Sequence, residues 1–340
     1  MGFPFVRTAL VALLVGTSFS ARAERPEEAL ADGAAAEAED APSLSPAPPS
    51  RLAPALHHRA PLGEERWSLP PDVVAAARAA SGRPLAERME AASRPLLGLP
   101  YLKDAAGEGN TDDPDPPASY DRFDCLTFVE EVVGLAAAPD PLGAARLRDA
   151  LRYRDASRSY TARRHFMEAS WVPDALANGL LVDLTSRLGH ARVLRKDVSA
   201  ATWRGWRQRG LFHVPEALLP TGTWSLPYLD LTEAQRVAQD IPAGSILLTL
   251  RTPRAGIPYA VTHVSMVVSD GTRVTMRHAS RMGAQRVRDD DLVWYLRHLG
   301  EYPRWPAIGV TVLFPREVGP RVSALAATPA WARPVLPGIP

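Results

Sequence analysis

The hydrophobic period changes part-way along this chain, and that change limits what it can fold into more than any other feature. Up to about residue 171 the apolar residues recur at helical spacing; after about residue 245 they fall in short, β-branched runs. Pro71-Asp72 followed by Val73, Val74, Ala77 and Ala80 predicts a first helix, and Leu85 to Leu97 a second after the Ser81-Gly82 break. Asp104 to Ser119 is rich in Asp, Pro and Gly without periodicity and reads as a loop. Asp124 then stands as an N-cap before Phe128, Val129, Val132 and Ala136, which form one apolar stripe. Further helices are expected at Leu142 to Tyr153 and from Phe166 to about Trp171, before Pro173. Four runs read as strands: Ser245 to Leu250, Thr262 to Val268, Thr272 to His278 and Ile308 to Phe314, with a helix at Asp291 to Leu299 before the last. The two runs around Ser269-Asp270-Gly271 predict an antiparallel hairpin. Helices first and a sheet after them make an α+β layout. Residues 180–240 can be assigned only loosely.

The ends differ from this middle. Arg7, the apolar run Ala9 to Ser18 and the small-x-small site Ala21-Arg22-Ala23 predict a signal peptide over residues 1–23 and a mature chain from Glu24. The run is too short to anchor, no later window can span a membrane, and no Cys near the cut accepts a lipid. The expected location is therefore outside the cytoplasm, periplasmic or extracellular. Residues 24–66 are rich in Ala, Pro, Glu and Ser and poor in branched apolar residues, so they are expected to form a disordered tether. A folded unit is expected over residues 67–317 and a loose Pro-rich tail over 318–340. A formal charge of +1 over 340 residues gives no reason to invoke nucleic acid. The region after the acidic tether is mildly basic, which suits an anionic wall polymer but also an ordinary solvated surface.

A single Cys excludes an intramolecular disulfide framework and any Cys-rich metal site, and in an exported chain an odd thiol is buried, paired between chains or used. Cys125 falls in the first turn of the helix capped by Asp124, where the helix N-terminus favours the thiolate; the alternative is a small buried hydrophobe. A nucleophilic thiol needs a base, itself oriented by a third group. Of the eight histidines, His57 and His58 lie in the tether, and His190, His213 and His298 have no clear geometry. His263 opens a strand, His278 lies on the next strand and His165 precedes a helix. A hairpin turning at Asp270-Gly271 sets positions 263 and 278 side by side. Cys125, His263 and His278 are alternatively a zinc set, though without the usual close ligand spacing. There is no Gly-x-Ser-x-Gly elbow for serine catalysis.

Seven short motifs occur in order: Gly98-Leu99-Pro100-Tyr101, Phe123-Asp124-Cys125-Leu126-Thr127-Phe128-Val129-Glu130, Arg152-Tyr153-Arg154-Asp155, Arg164-His165-Phe166, Pro242-Ala243-Gly244-Ser245-Ile246, Thr262-His263-Val264 and His278-Ala279-Ser280. With the flanking helix and the last strand they span about residues 73–316. The pattern resembles the bacterial N-acetylmuramoyl-L-alanine amidase-like family, within the papain-like cell-wall cysteine peptidases. The resemblance implies a papain-like α+β fold: N-terminal helices, one with Cys125 at its start, packed on an antiparallel sheet carrying His263 and His278. It implies Cys125 as nucleophile, His263 as general base and then acid, and His278 as the group orienting His263. Tyr101 would lie beside the thiol and help bind substrate or oxyanion with the backbone N–H of Cys125, while Arg154, Arg164 and His165 would line the groove. Cys125-Leu126-Thr127 departs from the more common Cys-Ser-Gly, Ser245 stands where relatives often carry Asp, and the acidic loop separates Tyr101 from Cys125.

Residues and resemblance agree on acyl transfer through a thioester, without metal or cofactor, the implied substrate being an amide of peptidoglycan or muropeptides. The bond is either the one between N-acetylmuramate and L-alanine or one within the stem peptide. Two other readings stay open: a non-catalytic wall-binding module using Trp203, Trp206 and Trp224 with Arg204 and Arg207, and an acyltransferase on the same fold.

Overall fold

The computed structural model describes residues 69–110, 113–138, 140–154 and 158–318. The expected signal peptide and tether, Asp155, and all of the expected tail but Val318 lie outside the described residues.

The helical half is built as its periodicity predicts. Helices α1 (Pro71–Ala79) and α2 (Leu85–Ser93) are followed by α3 (Cys125–Ala137) and α4 (Pro141–Arg152). Helix α3 starts where it does because of a reciprocal cap. Asp124 Oδ1 accepts the N–H groups of Leu126 and Thr127 at 2.9 and 2.8 Å, and Thr127 Oγ1 accepts the Asp124 N–H at 3.0 Å. Gly134 lets α4 approach closely, since a Cβ there would meet the Ala144 carbonyl oxygen at 2.6 Å. The helix expected to stop at Trp171 instead runs on: a π-helical turn, Met167–Trp171, leads into α5 (Val172–Ala177). Pro173 lies in the first turn of α5, where a missing N–H costs nothing, so it opens a helix rather than ending one.

The loosely assigned stretch holds β1 (Leu181–Asp183), α6 (Thr185–Leu188), β2 (Ala191–Val198), α7 (Ala200–Gly205), β3 (Gly222–Asp230) and α8 (Leu231–Arg236). The remainder is β4 (Ile246–Arg251), β5 (Val261–Ser269), β6 (Val274–Ala279), β7 (Val287–Asp291), α9 (Leu292–Leu299) and β8 (Ala307–Pro315). One antiparallel sheet of eight strands runs β2-β3-β8-β4-β5-β6-β7, with β1 also on β8. The α+β layout is thus present, with a larger sheet than the four predicted strands.

The sheet separates two apolar cores. On one face Phe128, Val129 and Val132 of α3 pack with Leu248, Val264, Met266 and Val268. On the other, Leu292 and Leu296 of α9 pack with Leu247, Val267, Met276, Val310 and Val312. The alternation of Val264, Met266 and Val268 with Val267 is the period-two pattern of a strand buried on both sides.

Candidate active site

Cys125 is the first residue of α3 and is only partly covered. The backbone N–H groups of Val264, on β5, and of Cys125 and Leu126 act to lower the thiol's pKa. The last β5–β6 pair is Met266 with Arg277, so Val264 lies past the end of that ladder. Burial, with the Asp124 carboxylate adding to it, nevertheless pushes the thiol up to about 12. Desolvation here opposes, and outweighs, the first-turn N–H groups that favour a thiolate.

Tyr101 reaches this position despite the long loop between it and Cys125. Gly98 takes φ +84°, a conformation that favours glycine, and the segment pairs with the edge of β7: Gly98 N–H donates to Val287 O, and Val287 N–H to Leu99 O. Tyr101 then bridges to Phe123, closing the loop at its base. Burial first, and then the nearby Cys125 and Asp124, raise the Tyr101 hydroxyl, so it stays a proton donor.

The histidines form a chain. His263 Nε2 and His278 Nδ1 are 2.7 Å apart, with ring centroids at 4.9 Å, and His278 Nε2 lies 3.0 Å from Asp290 Oδ2 on β7. The hairpin register differs from the expected one. Pairs such as Met266 with Arg277 set His278 opposite Ser265, so His263 and His278 meet on the diagonal, not side by side. Burial, followed by the charges of His278, Arg251 and Arg288, holds His263 well below the ordinary histidine range. Burial also lowers His278, against the pull of Asp290. Burial tends to raise Asp290, but His278 and Arg288, whose Nη2 is 2.9 Å away, bring it net below the usual carboxylate range. The proton order follows from the acid end. An ionised Asp290 only accepts, so His278 Nε2 carries the proton and donates; its Nδ1 accepts from His263 Nε2–H; and His263 Nδ1 is left with a lone pair.

Sequence reasoning did not find Asp290 or Tyr295. Tyr295 on α9 lies 6.5 and 6.0 Å, centroid to centroid, from the two imidazoles, and its hydroxyl is 3.3 Å from Thr249 Oγ1. The one signal for Asp290 was chemical: a histidine that orients another needs its own acceptor.

A pocket of about 130 Å³ beside the start of α3 is lined by Asp124, Leu126, Glu130, Arg163, Arg164 and His165, among others. Arg164 and His165 are thus beside Cys125's neighbours, but Arg164 is committed to structure: it pairs with Asp174 at 2.6 Å and donates to the carbonyls of Ala150, Leu151 and Tyr153. Burial lowers His165 to about 3, and its Nε2–H donates to Tyr160 O at 2.7 Å. Arg154 does not line this pocket; it is exposed and donates to Thr161 O, and Arg163 takes the lining position instead. Trp203 and Trp224 are buried in an aromatic core with Phe166, and only Trp206 of that trio is half-exposed, which removes the flat stacking surface a wall-binding module needs. Among the described residues, no three His, Cys, Asp or Glu side chains converge on a possible metal position.

The fold and this geometry define an α+β protein with a lone thiol at the start of α3 and a hydrogen-bonded His–His–Asp chain on the sheet that α3 packs against. The model of the N-acetylmuramoyl-L-alanine amidase-like family (AmiA-like) matches residues 91–300, well over half of the chain, and the protein belongs to that family. Among solved structures, the chain is similar to a Legionella pneumophila protein of family DUF1460: 21% identity, 72% of this chain and 93% of that one covered, TM-score 0.64. It is also similar to an N-acetylmuramoyl-L-alanine amidase from Bacteroides uniformis, with 21% identity, 68% and 99% coverage and a TM-score of 0.55. At these identities the likeness is one of fold. No curated protein matches the chain.

Proposed function

We propose that the protein is an exported, cysteine-dependent hydrolase of a peptidoglycan amide bond, working on a papain-like fold. The observation that carries this reading is the hydrogen-bonded chain His263–His278–Asp290, built on the sheet that packs against the helix Cys125 begins. The family and the name of the Bacteroides uniformis relative favour the bond between N-acetylmuramate and L-alanine; a bond within the stem peptide is the other candidate.

The chemistry follows from the resting protonation states. A protonated thiol is a poor nucleophile, so His263 Nδ1 takes its proton as sulfur attacks the carbonyl carbon. The imidazolium that forms is stabilised through His278 by the Asp290 carboxylate. The backbone N–H of Cys125 and the protonated Tyr101 hydroxyl are the donors placed for the oxyanion. His263 then returns the proton to the departing amine, leaving a Cys125 thioester, and activates the water that releases the acid. His165, Arg163 and Arg164 border the groove. In this reading residues 1–23 are removed on export, residues 24–66 tether the catalytic unit, which extends through Val318, 2% exposed in the α3-side core, and the enzyme works in the periplasm or outside the cell.

The test is product mass. Purified muropeptides of known structure are incubated with wild type, Cys125→Ala and His263→Ala. The reading predicts gain of one water across a single amide bond, abolished in Cys125→Ala and reduced roughly 10²- to 10⁴-fold in His263→Ala. Undiminished hydrolysis by either variant contradicts it. Products lacking the added water identify an acyltransferase instead.

A further inference from the structure

Strand β5 carries one residue too many at its start. Thr249 pairs with His263, but the next residue, Leu250, pairs with Val261, so Thr262 is bulged. The effect is visible in the faces. Val261 and Val264 both belong to the α3 core although three positions apart, whereas His263 lies with Tyr295 on the α9 side. In an unbulged strand, period two would put residue 263 on the same face as Val261, away from His278. The regular ladder from His263 to Met266 sets the side His263 faces, and the bulge at Thr262, immediately before it, lets the strand enter that ladder with Val261 still in the α3 core.

Something must hold it. Glu168, 3% exposed, sits in the π-helical turn Met167–Trp171, itself a turn with one residue inserted. Its Oε1 accepts the N–H groups of both Ala260 and Val261, the two residues leading into the bulge. Its Oε2 is buried without a hydrogen-bond partner. On the other side of the bulge, Arg251 Nε donates to Thr262 Oγ1 at 3.3 Å. Burying this carboxylate is costly, and the two backbone amides offset part of that cost while tying the π-helical turn to the residues before the bulge.

We propose that Glu168 is a positioning residue for His263: by holding the Ala260 and Val261 amides it fixes the β5 bulge next to His263, and with it the start of the ladder that holds the imidazole against His278. The proposal rests on the role given to His263 above.

The experiment compares wild type with His263→Ala, Glu168→Ala, Glu168→Asp and Glu168→Gln. It reads muropeptide hydrolysis and, independently of any substrate, the pH profile of Cys125 alkylation by iodoacetamide. The expected result is that Glu168→Ala lowers kcat roughly tenfold to a hundredfold with KM little changed. Its alkylation profile moves toward that of His263→Ala. Glu168→Gln, which keeps an oxygen acceptor, stays within about threefold of wild type. Should Glu168→Ala fail to fold, Glu168→Asp carries the test, because its shorter arm withdraws the acceptor from both amides. An alkylation profile sensitive to His263→Ala but not to Glu168→Ala or Glu168→Asp, with wild-type kcat, overturns the Glu168 proposal alone. A profile insensitive to His263→Ala overturns the role of His263, and this proposal with it.

Discussion

Two buried polar systems flank the Val264 strand, and they handle charge in opposite ways. Behind α3, Glu130 (1% exposed) meets Arg152 (4% exposed) at 2.7 Å, and Glu131 meets the fully buried Arg148 at 3.1 Å. Glu130 Oε1 also accepts the Trp171 indole N–H at 3.0 Å, and Glu131 Oε2 the Tyr120 hydroxyl at 2.7 Å. Every carboxylate there has a cation and a second donor. Beyond β5, His263 and His278 are held neutral by burial, and one ring nitrogen at the open end has no proton. The first system is satisfied within itself and ties α3 to α4, with Glu130 and Arg152 also lining the pocket beside α3. The second has the anion at its buried end and an unprotonated ring nitrogen at the other, so a proton, disfavoured at rest by burial, can enter at His263 without reordering the chain.

Substitutions in the two systems should therefore separate stability from activity. The largest effect is expected in the relay. Asp290→Asn lets His278 Nε2 accept, reverses the proton order and puts the proton on His263 Nδ1. Muropeptide hydrolysis should then fall by roughly a hundredfold or more while the protein stays folded. Next comes Arg152→Ala, which leaves Glu130 charged, buried and without its cation. It should cost about 3–5 kcal/mol in urea unfolding, with kcat in the remaining folded enzyme close to wild type. A stable Arg152→Ala variant with damaged kcat would dissolve the distinction.

The smallest effect is a pH slope. His165 is lowered from 6.5 to about 3 by burial, so below pH 6.5 the unfolded chain binds a proton that the folded protein refuses until near pH 3. Stability should fall as pH drops through that window, by up to about 1.4 kcal/mol per pH unit from this residue. Replacing His165 with Phe should flatten the urea-unfolding slope between those limits; an unchanged slope shows that His165 is not buried neutral.

The parts of this arrangement that sequence revealed are local ones. The cap at Asp124, the stripe Phe128-Val129-Val132 and the β-branched runs each announce their element within a few residues, so Cys125, His263 and His278 could be placed on the correct helix and strands. What stayed hidden depends on tertiary contact. Strand β7 reads Val-Arg-Asp-Asp-Asp, with no apolar alternation; it is held by pairing with Leu99 and by the Arg277–Asp289 ion pair at 2.7 Å, so Asp290 gave no strand signal. The bulge at Thr262 and the two-residue register offset of His278 change which side chains meet without changing composition. The thiol's protonation is a matter of burial, which no spacing discloses. Trp203, Trp206 and Trp224 are clustered in sequence for packing, not for display.

The account turns on a thiol that is neutral at rest and gives its proton to His263 only as it attacks. The direct measurement is the ultraviolet absorbance of the thiolate, taken as the difference between wild type and Cys125→Ser across pH. The account predicts no thiolate signal through neutrality and a rise only toward the value of about 12 set by burial. A signal already present at mildly acidic pH would show a standing thiolate–imidazolium pair and contradict it.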